Sequence, residues 1–180
     1  MKIDTKKMLP GDLIGWRNST GSYGRLIRAA LGSYTNHNAM LVLKDGEWQI
    51  GEAVSPVSKL TPLREYERLI DQGNVMRIWR VTEVSDQERQ AASDYFVDHC
   101  LGIKYPLSVL RLWIYRFVNN LPWTIHGEWC TRLVWNAWEN IVPGIFDRPD
   151  GKEKKNPTPR TMENRLVAGV IYDVTNKIIK

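Results

Sequence analysis

Asp45-Gly46 separates two runs with strand character, His37-Asn-Ala-Met-Leu-Val-Leu43 and Glu47-Trp-Gln-Ile-Gly-Glu-Ala-Val54. A two-residue loop of this composition favours a tight hairpin turn, because Asp and above all Gly tolerate the positive φ that such a turn needs. The turn therefore sets a register: Lys44 faces Glu47, Ala39 faces Glu52 and His37 faces Val54. Side chains alternate along a strand, so His37 and Glu52 fall on one face as diagonal neighbours, about 7 Å apart at the backbone. A slip of one residue would place them on opposite faces.

The remaining pattern adds helices to this hairpin. Asp12 to Trp16 reads as a short strand, Tyr23 to Leu31 has helical spacing, and Val75 to Val81 is a further strand-like run. Ser85-Asp-Gln-Glu88 is a capping box, in which hydroxyl and carboxylate satisfy free N–H groups at a helix start. That helix is expected to run to about Cys100 and to bury Ala92, Phe96 and Cys100. A second helix is expected from Pro106 through Asn119. A third is expected from about Glu128 to Asn140, burying Leu133, Val134, Ala137, Trp138 and Ile141. Arg148 to Arg160, with three Pro and one Gly, reads as a mobile loop, and Leu166 to Val174 as a final strand. At 180 residues with no repeat and no linker, the chain is expected to form one α+β domain over residues 1–180.

Several function classes fall away. With 25 Lys+Arg against 20 Asp+Glu the net charge is +5, but the basic residues are scattered, so no nucleic-acid partner is expected. Two cysteines, Cys100 and Cys130, cannot build a disulfide framework and lack zinc-site spacing. Met1 to Pro10 has lysines but no apolar run after them, so no signal peptide is read and a cytoplasmic location is expected. The apolar stretch Leu107 to Val118 is broken by Arg111 and Arg116 and is far short of the ~20 residues of a membrane span. Its Arg-flanked face around Trp113 and Phe117 leaves room for membrane-surface contact. A GxSxG elbow and a Gly-rich phosphate loop are both missing.

The residue best suited to chemistry is Cys130, at the expected start of a helix. There the positive dipole end and unpaired N–H groups favour a thiolate. A buried structural cysteine is the competing reading, and the difference is made by a base. His37, with Glu52 to orient it, is one candidate. His126, four residues before Cys130, is the other. His99 reads as a helix C-terminal or surface histidine.

The order His37, Glu52, Cys130, with the cysteine at a helix start, resembles the circularly permuted papain-like cysteine hydrolases of the NlpC superfamily. The particular likeness is to the branch of YiiX and its orthopoxvirus relatives, related to the lecithin:retinol acyltransferase group. Pro10-Gly-Asp-Leu-Ile14 and Asn36-His-Asn-Ala-Met-Leu-Val42 look like two of the family's strands. Glu52-Ala-Val54 with Pro62-Leu63, Gly102-Ile-Lys-Tyr105, and Trp129-Cys-Thr-Arg-Leu-Val-Trp135 are similar to three further motifs in the same order. Thr131-Arg132 stands where Ser-Glu is common, and Pro106 follows Tyr105 where Asp is common.

The resemblance implies a permuted papain-like fold, a small antiparallel sheet packed against helices. It also implies acyl transfer through a Cys130-His37-Glu52 triad. Tyr105 is implied as a neighbour of the acyl oxygen. The chemistry requires neither a metal nor an organic cofactor. The implied substrates are small peptides such as peptidoglycan stem peptides, other amides, or lipid esters. A lipid-directed acyltransferase and an inactive binding module of the same fold are the other outcomes. Arg132, a cation near the first helical turn, is unfavourable to the macrodipole. It is expected to meet either an anionic substrate group or an internal acid, Glu128 or Glu139. The missing leader is also compatible with a viral or phage protein.

Overall fold

Asp45 and Gly46 have φ of 52° and 77° and reverse the chain between strands β2 (His37–Lys44) and β3 (Glu47–Ala53). The computed structural model describes residues 3–18, 22–105, 130–146 and 157–179. The ladder pairs Lys44 with Glu47 and Ala39 with Glu52, the register expected from the turn. It stops there, so His37 has no regular partner in Val54. β3 ends at Ala53, and His37 pairs on its other side with Trp16.

Four more strands complete the sheet: β1 (Leu13–Arg17), β4 (Ser58–Pro62), β5 (Val75–Val81) and β6 (Ile171–Asp173). Their order is β4-β3-β2-β1-β5-β6, and every neighbouring pair is antiparallel. Among the described residues the helices are α1 (Ser22–Leu31), α2 (Leu63–Asp71), α3 (Asp86–His99), α4 (Cys130–Glu139), α5 (Pro159–Val167) and α6 (Thr175–Ile178). The chain is thus α+β, a small antiparallel sheet packed against helices.

Alternation along the strands sorts the core into two layers. Leu13, Met40, Val42, Trp79 and Val81 face the buried sides of α3 and α4, including Ala92, Phe96, Leu133, Val134, Ala137 and Trp138. Ile14, Trp16, Ala39, Leu41, Ile50 and Ile78 face the other way, against Leu63, Tyr66 and Ile70 of α2 and Ile178 of α6. Burial on both faces accounts for the unbroken apolar run Ala39–Val42.

Ser85 and Glu88 form the expected capping box, and Cys100 packs as a small hydrophobe. Phe96 lies so close to β3 that a Cβ at Gly51 would sit 2.6 Å from its ring. On α4 the expected side chains are buried, except that Ile141, past the helix end, is half-buried.

The C-terminal expectations need correction. The expected loop gives way to helix by Pro159, because Thr158 and Thr161 form a reciprocal cap and Pro159 suits a first helical position. The helix then takes in Leu166 and Val167 and is followed by Gly169 at φ 75°. The last strand is therefore only Ile171–Asp173, not Leu166 to Val174. The expected helix from Pro106 to Asn119 lies outside the described residues. Among the described residues, no helix is long and apolar enough to cross a membrane.

Candidate functional site

The hairpin register brings His37 and Glu52 together on one face, with His37 Nε2 3.0 Å from Glu52 Oε2. Both side chains are largely buried, at 13% and 7% exposure. Leaving a carboxylate there would cost several kcal/mol if it were unpaired. Two hydroxyls offset that cost: Thr61 Oγ1 donates to Oε1 and Tyr66 OH donates to Oε2, each at 2.5 Å. Thr61 lies on β4 and Tyr66 on α2, on either side of the Pro62-Leu63 junction.

Cys130 approaches from the other layer. Helix α4 is seated by Leu133, Val134, Ala137 and Trp138, and Trp138 Nε1 donates to Gly11 O at 3.1 Å. At the first turn Thr131, fully buried, donates to Asn38 Oδ1 at 2.9 Å, and Asn38 Nδ2 donates to Ile14 O at 3.3 Å. These bonds hold the first turn of α4 to the start of β2. The Cys130 thiol, 3.9 Å from Thr131 Oγ1, is thereby brought close enough to His37 and to the Asn38 backbone for each to act on its charge. Glu52 occupies Nε2 of His37, so Nδ1 is the other ring nitrogen.

The electrostatics follow from that row of contacts. Burial works against a charged imidazole, but the thiolate of Cys130 and then Glu52 outweigh it and push His37 up to about 10. Burial would also raise the Cys130 thiol, and the adjacent imidazolium, with the Asn38 N–H and Thr131, brings it below the usual thiol range. Glu52 is opposed by burial as well, yet its bonds from His37, Thr61 and Tyr66 bring it down to about 2. Each of the three groups thus favours the charged form of its neighbour.

A cleft of about 710 Å³ opens on His37 and Glu52, walled by α1 at Gly24 and Ile27, by Tyr66 and Thr61, and by Tyr105. Cys130 is 5% exposed. Tyr105 is anchored through its N–H to Pro56 O at 2.9 Å. Arg132 is half-buried on α4, outside the described cleft lining. Glu139, one of the acids considered for it, accepts from the Gly144 and Phe146 N–H groups. Glu128 and the competing base His126 lie outside the described residues. His99 is exposed in the last turn of α3, its ring 4.5 Å from that of Tyr95.

Sequence reasoning missed Thr61, Tyr66, Asn38 and Thr131. Tyr66 carries a signal in hindsight, since Leu63, Tyr66 and Ile70 make an apolar stripe at helical spacing.

The chain is similar to YiiX of Escherichia coli strain K12, an uncharacterized protein, with 27% identity over 136 residues covering 73% of this chain and 58% of YiiX. It therefore spans a little over half the length of that relative. Its fold is also similar to the crystal structure of metalloprotein yiiX from Escherichia coli O157:H7. That match has a TM-score of 0.55 and 24% identity, and covers 74% of this chain and 66% of the other. No protein-family model matches the chain.

Proposed function

We propose that this chain is a cysteine-dependent hydrolase of amide or ester bonds with a permuted papain-like site. The carrying observation is the His37–Glu52 pair at 3.0 Å, with Cys130 near enough that its thiol and the His37 ring each favour the other's charged form. In the proposed reaction, the thiolate attacks a carbonyl carbon and a C–N or C–O bond breaks. The leaving group takes its proton from His37 Nδ1, and a thioester remains on Cys130. A water then gives a proton to His37 and attacks the thioester, releasing the acid and restoring the thiol. Glu52 keeps the ring aimed and its charge stabilised. The Cys130 N–H is suited to receive the oxyanion, and Tyr105 lines the cleft that opens on His37.

The implied substrates are small peptides, simple amides or lipid esters that fit the cleft over His37. The structurally similar yiiX of E. coli O157:H7 is described as a metalloprotein. Among the described residues the donors do not fit a metal, since Glu52 already accepts from His37, Thr61 and Tyr66. Among the described residues no group of three His, Cys, Asp or Glu is placed to hold an ion.

A screen of acylating probes by intact mass, on wild type and Cys130→Ala, tests the reading. A probe adduct formed by the wild type and lost in the variant is the expected result. Equal labelling of both proteins contradicts it.

A further inference from the structure

We propose that Thr61 and Tyr66 are positioning residues, a two-hydroxyl clamp that fixes the Glu52 carboxylate on His37 and makes the β4-to-α2 segment part of the working site. The inference rests on the reading of Cys130 and His37 as nucleophile and base.

The clamp is written in the register. Glu52 is diagonal to His37 across the β2–β3 pair, and Thr61 is diagonal to Glu52 across the β3–β4 pair, so the three side chains form one row on one sheet face. Tyr66 closes the row from α2, its ring edge-on to Trp16 at 4.8 Å and its hydroxyl buried. Both hydroxyls can only donate to an ionised carboxylate, so they favour the charged form and fill the acceptor sites that His37 leaves. Burial and the neighbouring Glu52 charge also keep the proton on the Tyr66 phenol.

The segment also resolves a competition. Lys59 is the direct cross-strand partner of Glu52, on the same face and lining the same cleft. Yet the described ion pair of Glu52 is with His37, not Lys59. Opposed unlike charges normally attract. Thr61 on Oε1 and Tyr66 on Oε2 hold the carboxylate against swinging toward the lysine.

The test is the pH profile of Cys130 alkylation by iodoacetamide, read by peptide mass spectrometry, in wild type, Thr61→Val and Tyr66→Phe, each with its melting temperature. Removing either donor makes Glu52 easier to protonate, so the acid limb of thiolate reactivity moves to higher pH. The expected shift is about one unit, a fall in rate of about tenfold on that limb. A role in packing alone would lower the melting temperature and leave the profile in place. Each variant removes one hydroxyl, so either suffices if the other does not fold. Variants with the wild-type profile overturn the clamp. A wild type whose Cys130 reacts no faster than an ordinary thiol at acid pH overturns the underlying reading instead.

Discussion

A buried thiol becomes a nucleophile only where something nearby stabilises its charge, and the two cysteines of this chain show the contrast. Cys100 is packed beside Ala92 and Phe96, its Sγ 4.0 Å from the Leu133 carbonyl, an environment suited to the neutral thiol. Cys130 has its thiol lowered by the neighbouring His37 charge, with the Asn38 backbone and the Thr131 hydroxyl adding to the effect. Iodoacetamide at pH 6 should therefore modify Cys130 at least about tenfold faster than Cys100, the ratio expected for one unit of difference in thiol acidity. Peptide mapping reads the result, and preferential labelling of Cys100 would reassign the reactive thiol. The carboxylate has a different signature from the base. Glu52→Gln retains an oxygen that can accept from the ring without stabilising its charge, so it should lose less turnover than His37→Ala. Equal losses would mean that Glu52 does more than orient.

At the scale of elements, close approach between α3 and β3 depends on the missing side chain at Gly51. A Cβ there would meet Phe96 Cε1 at 2.6 Å, and Phe96 is fully buried. Gly51→Ala should cost about 1–3 kcal/mol by overpacking, measured as a lower urea midpoint with an unchanged slope. The elements differ in how far their sequence revealed them. The hairpin and its register were legible because Asp45-Gly46 admits one turn and burial on both faces fixes the pairing. α3 was legible from its capping box, and the His37–Glu52 pair followed from the alternation of β2 and β3. β4 escaped because Ser58-Lys-Leu-Thr-Pro62 is a short edge strand with little apolar alternation. The start of α5 was hidden by the Pro-rich run ahead of it, although Thr158-Pro159 is itself a helix-start signal. Without β4 and α2 on the page, nothing in the sequence joined Thr61 and Tyr66 to Glu52.

For the whole molecule, the charged row links folding to pH. Glu52 lies at about 2 when folded against an ordinary 4.5, so the stability it contributes is full above 4.5 and is lost as pH falls toward 2. His37 lies at about 10 against an ordinary 6.5, a loss of stability with rising pH that the lowered Cys130 thiol offsets up to its ordinary 9.0, so the pair's contribution falls only as pH passes from about 9 toward 10. The melting temperature should therefore decline on both sides, and His37→Gln should flatten the alkaline decline specifically. An alkaline decline unchanged in that variant would place its origin elsewhere. Activity demands more than this charge arrangement, since a thiolate must also form and release an acyl group. The most direct measurement is an acid quench of the protein reacting with a p-nitrophenyl ester, followed by peptide mapping. The expected result is an acyl group on Cys130 that hydroxylamine removes and that is missing from His37→Ala at neutral pH. Acylation confined to lysines, or found equally in that variant, would contradict a Cys130 nucleophile served by His37.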